Sequence, residues 1–592
     1  MTSPVQGSLR FGTALAMIAV ARLFLATPIE AQGKSGKSES SVSGSATAQA
    51  GNARVDAMIA ELLGTGNDDG QLRVIITLKP GAKRGLIRAL QAQGASISQD
   101  FTIIEAFAAD LPIGLLRALQ KHSDVVSISS DAEVQGFGIS SPVSGAALNS
   151  SYSLRNTLGI SSAYYDGAGV TVAVIDSGML QDGGGTSRIK TARDFTGGSS
   201  SPWSSSPQDG YGHGTHVANI IGGDKSAALG VAPAVSYVSL RVLDNNGKGR
   251  TSHVINAVQW AISKRDTYGI NIINLSLGHE IYEPAATDPL VLAVEAATRA
   301  GIVVVASAGN RGTNPQTGEV GFAGISSPGN APSAITVGAV KTLNTTRRTD
   351  DLIADYSSRG PTWIDGRAKP DIVAPGHSIV SAAATWQTLY QSYPASRLTL
   401  DGRPYMKLSG TSMAAGVVSG TVALMIERTK ARFGVKPSPN AIKAMLQASA
   451  LPMSDPTGRP YHVLVQGAGS VNAGGAIALA RAINPTLPVG SYWLTEGVIQ
   501  STTIDGQNIV WGENIVWGDN VVWGDAIYTN NIVWGENIVW GENIVWGENI
   551  VWGENIVWGE NIVWGENIVW GENIVWGENI VWGESVLGPL AQ

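Results

Sequence analysis

The sequence predicts an α/β protein: a parallel sheet with helices on both faces, preceded by a ferredoxin-like α+β module and followed by a hexapeptide-repeat β tail. Three observations carry this expectation. Between about 156 and 482, short runs of Val, Ile and Ala alternate with helical segments, the rhythm of βαβ units whose strands are buried on both sides. From 54 to 135 a shorter strand–helix alternation stands apart. From about 508 to 584 the unit Asn-Ile-Val-Trp-Gly-Glu recurs, unbroken from Trp534 to Trp582.

The 592 residues exceed what one core holds, and correspond to about three or four units at ordinary domain size. With 43% hydrophobic and 15% charged residues the composition is globular. The net charge is -7 and no long basic run occurs, which argues against nucleic acid as a partner. There is no cysteine, so thiol catalysis, zinc ribbons and disulfide staples are excluded; a core of this size stands without staples.

Residues 1–31 read as an export signal. Arg10 precedes the apolar stretch Phe11 to Ala21, Arg22 interrupts it, Leu23 to Ala26 resumes it, and Ala31 offers a small residue for cleavage. An uncleaved anchor and an unstructured end are the alternatives. Residues 32–53, rich in Ser, Gly, Ala and Lys, have linker composition.

In the 54–135 module, Arg73 to Leu78 reads as a strand and Pro80-Gly81 as a break. Ala82 to Gln93 has apolar residues at helical spacing, Phe101 to Leu111 is strand-like and includes a candidate hairpin, Ile113 to Lys121 is helical, and Val125 to Ser129 is a strand. That order fits a small ferredoxin-like sandwich. Residues 136–155 are rich in Gly, Ser and Ala, a boundary open to a protease. Further on, Val170 to Ile175, Tyr237 to Val242, Ile270 to Leu277 and Ile302 to Ser307 read as strands, and His213 to Ile221 and Pro289 to Ala300 as helices. Residues 483–507 form a connector to the array.

Three segments of the 156–482 region carry chemistry. In Ala173-Val-Ile-Asp176-Ser-Gly178 a buried strand ends in a carboxylate, at the strand end where open parallel sheets meet ligands; a turn or cap residue is the plainer reading. In Gly212-His213-Gly-Thr-His216 an imidazole opens a helix with little steric cover, and a second follows one turn later. A core histidine is the plainer reading, and a metal pair would need a third ligand. In Ser409-Gly410-Thr411-Ser412-Met413-Ala414 a serine stands at a helix N-terminus, where N–H groups and the macrodipole favour negative charge. A serine hydroxyl becomes nucleophilic only beside a base; alone, Ser412 reads as an N-cap.

Together, and in the order Asp, His, Ser, these segments resemble the subtilase family of serine proteases. The resemblance covers about 156 to 482. It implies an acyl-enzyme mechanism with Asp176, His213 and Ser412 as catalytic residues and no cofactor for catalysis, with structural calcium an open expectation. Val304-Val-Ala-Ser-Ala-Gly309-Asn310 looks like the segment carrying the oxyanion-hole asparagine, which makes Asn310 the fourth catalytic candidate. Asn274-Leu-Ser276-Leu277-Gly278 resembles the strand that pairs with substrate backbone, so Ser276, Leu277 and Gly278 are substrate-binding candidates. Tyr356 to Pro361 and Lys369 to Gly376 resemble scaffold segments of the family. Departures are Gly416, where proline is usual, His279, where a second glycine is common, and Gly222 to Ala228, which looks short for a calcium loop.

The 54–135 module resembles an inhibitor-type propeptide, which implies a zymogen cleaved after about Glu133; an ordinary interaction domain is the alternative. In the array, an even period puts Ile, Trp and Glu on one side of an extended unit and Asn, Val and Gly on the other. Stacked short strands would form a β-solenoid or roll, whose Trp row could meet glycans, a membrane surface or another copy; an expanded tract of little function is the bland reading. The expectation is therefore a secreted or cell-surface endopeptidase acting on protein or peptide substrates and inhibited by its own propeptide. The alternative is an adhesion or display protein carrying the repeat.

Overall fold

The computed structural model describes residues 53–65, 70–137, 154–160, 165–180, 188–197, 201–202, 208–224, 228–314, 316–487, 495, 497–504 and 507–511. All fall in one compact unit, Gly51–Gln592. The expected export signal, most of the 136–155 linker and nearly all of the array lie outside these residues.

The first module runs β1 (Arg54–Val55), α1 (Ala57–Gly64), β2 (Gln71–Leu78), α2 (Lys83–Gln91), β3 (Ser96–Phe101), β4 (Ala106–Pro112), α3 (Ile113–Leu119) and β5 (Val125–Ser130). Its sheet order is β1-β5-β2-β4-β3. Of the strand-like region at 101–111, Ala106 to Leu111 lies in β4, and the hairpin partner β3 lies upstream of it, sharing only Phe101 with that region. Helix α1, not read from sequence, starts where the Asp56 carboxylate accepts from the Ile59 N–H at 2.8 Å, an ordinary N-cap.

The module's sheet is buried on both faces, and side-chain alternation divides it. Val74, Ile76, Phe107, Ala109 and Leu111 join the module's own core with α1 to α3. Ile75, Phe101, Ala106 and Ala108 instead join a core shared with the following domain. Burying each large apolar side chain there contributes about 1.5–3 kcal/mol. Polar contacts flank this contact face. The Asn256 amide donates to Gln99 Oε1 at 2.8 Å, and the Ala57 N–H to the Tyr282 carbonyl at 3.0 Å. A short strand, β6 (Glu133–Gly136), leaves the module two residues after β5.

The second domain opens with α4 (Leu154–Thr157) and β7 (Thr171–Asp176), then β8 (Ile189–Asp194), β9 (Ser201–Pro202), α5 (His213–Gly222), β10 (Ser236–Arg241), β11 (Lys248–Arg250), α6 (Thr251–Ser263) and α7 (Arg265–Tyr268). It continues with β12 (Ile270–Leu275), β13 (Leu277–Gly278), α8 (Pro289–Arg299), β14 (Val303–Ser307), β15 (Ile335–Lys341), β16 (Leu352–Ile353), β17 (Ile372–Pro375) and β18 (Ile379–Ala382). Then follow α9 (Thr388–Ser392), β19 (Arg397–Leu400), β20 (Arg403–Leu408), α10 (Thr411–Phe433), α11 (Pro439–Ala448), α12 (Val463–Gln466) and α13 (Ala473–Ala482).

The central sheet has the order β16-β15-β14-β12-β7-β10-β8-β9, with β17 beside β15. Only β16 and β9 pair antiparallel. Strand β7 shows why the sheet is covered twice: Val172 and Val174 join one core with Met413 and Val417 of α10, while Ala173 and Ile175 join the other with Val254 and Val258 of α6. The carboxyl ends of β7 and β12, and the loop after β14, deliver Asp176, Ser276 and Asn310 to one rim.

Helix α10 runs unbroken through Gly416, which the sequence flags as a departure. A Cβ at that position would lie 3.2 Å from Ile220 Cγ2 and 3.4 Å from the Val217 carbonyl oxygen of α5. The glycine therefore serves close packing between the helices that carry Ser412 and His213, which offsets its entropic cost of about 0.5–1 kcal/mol. In the Lys369 to Gly376 segment, the buried Asp371 carboxylate pairs with Lys369 Nζ at 2.7 Å and Lys443 Nζ at 3.0 Å. Burial pulls the Lys443 ammonium down to about 7 against that pairing.

After α13, β21 (Ser501–Ile504) and β22 (Gln507–Val510) form an antiparallel hairpin. Residues 508–511 are the first Asn-Ile-Val-Trp of the array. Trp511 is buried, joins the α10 core with Ile504, and donates from Nε1 to Thr502 Oγ1 at 3.0 Å. The first copy of the repeat thus belongs to the folded domain.

Candidate active site

Asp176 ends β7 with both carboxylate oxygens turned to His213, whose Nδ1 lies 2.8 Å from Oδ1 and 3.0 Å from Oδ2. The Ser177 N–H also donates to Oδ1 at 2.7 Å. His213 is the first residue of α5, and the start of that helix is held by a residue the sequence reading did not single out. Asp209 is wholly buried; it accepts from Gly212 N and Ser177 Oγ at 2.8 Å each, and from Thr215 N at 2.8 Å and Thr215 Oγ1 at 2.7 Å. Ser177 Oγ accepts in turn from Gly214 N at 2.9 Å. The Gly214 and Thr215 N–H groups of the first turn are thereby satisfied, and the Asp176 and His213 segments are tied together.

Electrostatics follow the same arrangement. Burial draws the His213 imidazole down, but the Asp176 carboxylate, its hydrogen bond and the Asp209 charge outweigh it, so the pKa is raised. Burial pushes the Asp209 carboxyl up against its four hydrogen bonds. His216 behaves oppositely: burial lowers it to about 3, and its Nε2 donates to the Met406 carbonyl at 3.2 Å. The two imidazoles address different partners, so the metal-pair reading of this motif fails.

Ser412 is the second residue of α10 and wholly buried. Its Oγ donates to the Ser276 carbonyl at 3.0 Å, and Ser276 Oγ donates back to the Ser412 carbonyl at 3.0 Å. His213 Nε2 is a buried nitrogen without a hydrogen-bond partner. Behind Ser276, Asn274 donates to Ser276 Oγ at 2.9 Å and accepts from Ser419 Oγ at 2.9 Å, which locks β12 to α10.

Asn310 lies beside the start of α10. Its Oδ1 accepts from Thr411 N and Thr411 Oγ1, each at 3.0 Å, and Thr411 Oγ1 accepts from Gly309 N at 3.1 Å. With the oxygen so committed, the amide nitrogen faces the rim. There it donates to the Phe137 carbonyl at 2.6 Å.

Phe137 arrives with β6. That strand lies between β11 and β13, antiparallel to both: Gln135 faces Lys248 and Gly278, Val134 faces Gly249, and Gly136 faces Leu277. The Phe137 N–H reaches the Ser276 carbonyl at 3.4 Å. Ser276, Leu277 and Gly278 therefore stand against an extended peptide, the strand-addition geometry. The approach is held by Asp131, whose carboxylate accepts from Ser252 N and Ser252 Oγ at 2.7 Å each, capping α6 from outside the domain. His279 stacks on Tyr282 with ring centroids 5.6 Å apart and bridges to Ser327.

Among the described residues no group of three or more His, Asp or Glu side chains is placed to hold a metal ion, and the Gly222 to Ala228 loop is only partly described. The calcium allowed by the sequence thus finds no side-chain ligand set among those residues.

A carboxylate, an imidazole and a serine on separate elements of a doubly covered parallel sheet define a serine-peptidase scaffold. Residues 167–476 match the subtilase family, Peptidase_S8, and the chain belongs to that family of serine proteases. It is 35% identical over 316 residues to the serine protease AprX of Bacillus subtilis, which covers 52% of this chain and 66% of that protein. It is 31% identical over 341 residues to subtilisin E of the same organism, covering 57% and 75%. The fold is also similar to the crystal structure of fervidolysin from Fervidobacterium pennivorans, a keratinolytic enzyme related to subtilisin. The TM-score is 0.53 at 18% identity, covering 76% of this chain and 64% of that one.

Proposed function

We propose that the chain is an exported serine endopeptidase made as a zymogen, with Asp176, His213 and Ser412 as its triad, Asn310 as an oxyanion donor and the 54–135 module as its inhibitory propeptide. The observation that carries this reading is the Asn310 amide on the Phe137 carbonyl, beside Ser412 and the Asp176–His213 pair.

Each residue has a chemical task. Asp176 holds the Nδ1–H tautomer of His213 and stabilises the imidazolium that forms. His213 Nε2 takes the Ser412 proton when the hydroxyl turns from the Ser276 carbonyl. Ser412 Oγ attacks the scissile carbonyl, whose developing negative charge meets the Asn310 amide and the N–H groups at the start of α10. His213 returns the proton to the leaving amine, and water then hydrolyses the acyl-enzyme. Side chains handle every proton and electron pair in this sequence, so it needs no cofactor.

Rapid mixing of the matured enzyme with a chromogenic peptide ester tests the reading. A burst of about one product per enzyme, lost in Ser412→Ala, is expected; steady hydrolysis that survives in Ser412→Ala would overturn it.

A further inference from the structure

Resting on that reading, we infer that β6 is bound as a substrate, that the first bond cut is Phe137–Gly138, and that the site selects an aromatic residue before the bond, glycine one position earlier and an aliphatic residue two positions before that. The selecting positions follow from what each side chain of 133–137 meets.

The Phe137 carbonyl is the one held by Asn310, which makes it the carbonyl to be attacked. Its ring is largely buried against Gly278: a Cβ built there would lie 3.1 Å from Phe137 Cε2 and 3.2 Å from Cζ. The Ser327 carbonyl oxygen crowds the same position more closely still, so position 278 takes only glycine, and the ring packs on that bare backbone.

Gly136 lies under the imidazole of His213. A Cβ on it would sit 3.1 Å from Nδ1 and Cε1 and 3.3 Å from Cγ. The ring is in no position to yield, because it is wholly buried and held at both Asp176 oxygens. A larger residue here would either displace the peptide or disturb the base.

Val134 has no exposed surface and joins the apolar cluster that holds Leu243 and Leu277. Glu133 and Gln135 point to solvent, and Glu133 makes only an exposed pair with Lys248 at 3.1 Å. Alternation along β6 turns Val134 and Gly136 to the protein and Glu133 and Gln135 to solvent, and Phe137, just past the strand, adds the third selecting position.

The rest of the chain fits this rule. A glycine precedes an aromatic residue at Phe137, Tyr211 and Phe322 alone. Three residues before Tyr211 and Phe322 stand Gln208 and Glu319, against Val134 before Phe137. Every Trp of the array is preceded by Val, with Asn three residues before it. An enzyme with this selection matures at one bond and spares its own Trp-rich tail.

In the reaction, the Ser412 Oγ–Phe137 C bond forms as the Phe137 C–Gly138 N bond breaks. The Ser412 proton passes through His213 to the Gly138 amine. Water then cleaves the ester, which leaves a carboxylate on Phe137 and frees Ser412. Because β6 follows β5 of the same chain by two residues, the cut is intramolecular.

The test is a time course of the full chain, with fragment termini read by mass spectrometry. It is paired with kinetics of the matured enzyme on four p-nitroanilides: Val-Gln-Gly-Phe, Val-Gln-Val-Phe, Lys-Gln-Gly-Phe and the tail sequence Asn-Ile-Val-Trp. The first fragments should end at Phe137 and begin at Gly138, at a rate independent of protein concentration, and be absent from Ser412→Ala. The last three peptides should each lose about tenfold or more in kcat/KM, the scale of a side-chain mismatch in a shaped pocket. A first cut elsewhere that still needs Ser412, or equal rates on all four peptides, would overturn the inference and leave the protease reading standing. Absence of any Ser412-dependent cleavage of chain or peptide ester would overturn both.

Discussion

The side-chain amide of Asn310 donates to the Phe137 carbonyl oxygen at 2.6 Å, and Thr411 decides which end of that amide does so by occupying its oxygen. A donor aimed at the reacting oxygen matters most when that oxygen carries charge. Asn310→Ala should therefore lower kcat by about 10²–10³ with little change in KM. Steady-state kinetics of the matured enzyme on a peptide ester measure this; a raised KM at unchanged kcat would make the contact one of ground-state binding only.

The Asp176–His213 pair sets the pH profile. In the proposed mechanism His213 is the base and acts when neutral, and its pKa is raised above the ordinary 6.5 by Asp176 and Asp209 against burial. Activity should rise with pH through a midpoint above that value. In Asp176→Asn the raising charge and the correct tautomer are lost, so kcat should fall by about 10⁴, and the midpoint should move to lower pH. Profiles of kcat/KM for both proteins check this, and an unmoved midpoint would contradict it.

Glu283 gives the contact between the 54–135 module and the second domain its own pH dependence. Burial first, then the Asp288 carboxylate and, more weakly, Asp56 push its carboxyl up to about 8, against the Ser129 and Thr287 hydroxyls. Asp288 caps α8 through Leu290 N at 2.8 Å and accepts from Ser327 Oγ at 2.7 Å, while Asp56 caps α1 through Ile59 N at 2.8 Å. A raised acid contributes stability that is full below its ordinary 4.5 and is lost as pH rises through about 8. Thermal unfolding of uncleaved Ser412→Ala should show Tm falling across that window, and the added Glu283→Gln substitution should flatten the fall.

Trp511 ties the first repeat to the domain. Trp511→Ala removes a buried ring and its hydrogen bond to Thr502 and should cost about 3–5 kcal/mol, seen as a lowered Tm of the Ser412→Ala chain. A deletion beginning at 512 keeps that ring, whereas one beginning at 506 loses it, so only the shorter deletion should leave Tm unchanged.

Much of this was legible in the sequence because its signals are local. Val170 to Ile175 and Ile302 to Ser307 are apolar runs of strand length, and the structure places strands there within one residue at each end. The triad candidates sit at element ends, where a short motif fixes both the residue and its direction. What escaped depends on contacts across the fold. Ser96 to Phe101 is too polar to announce a strand, and it gains its place from β4. Asp209 lies four residues before His213, ahead of the motif as read, and only its burial makes it the anchor of α5. Phe137 stands in a Gly- and Ser-rich boundary with no pattern of its own, and the sheet formed by β6, β11 and β13 brings it under Asn310.

Active-site labelling tests the central claim most directly. The matured enzyme, treated with a fluorophosphonate and digested, should carry one label per chain on the peptide containing Ser412, and Asp176→Asn should label far more slowly. A label on another residue, or none on an enzyme that hydrolyses peptide esters, would contradict the assignment of Ser412 as the nucleophile.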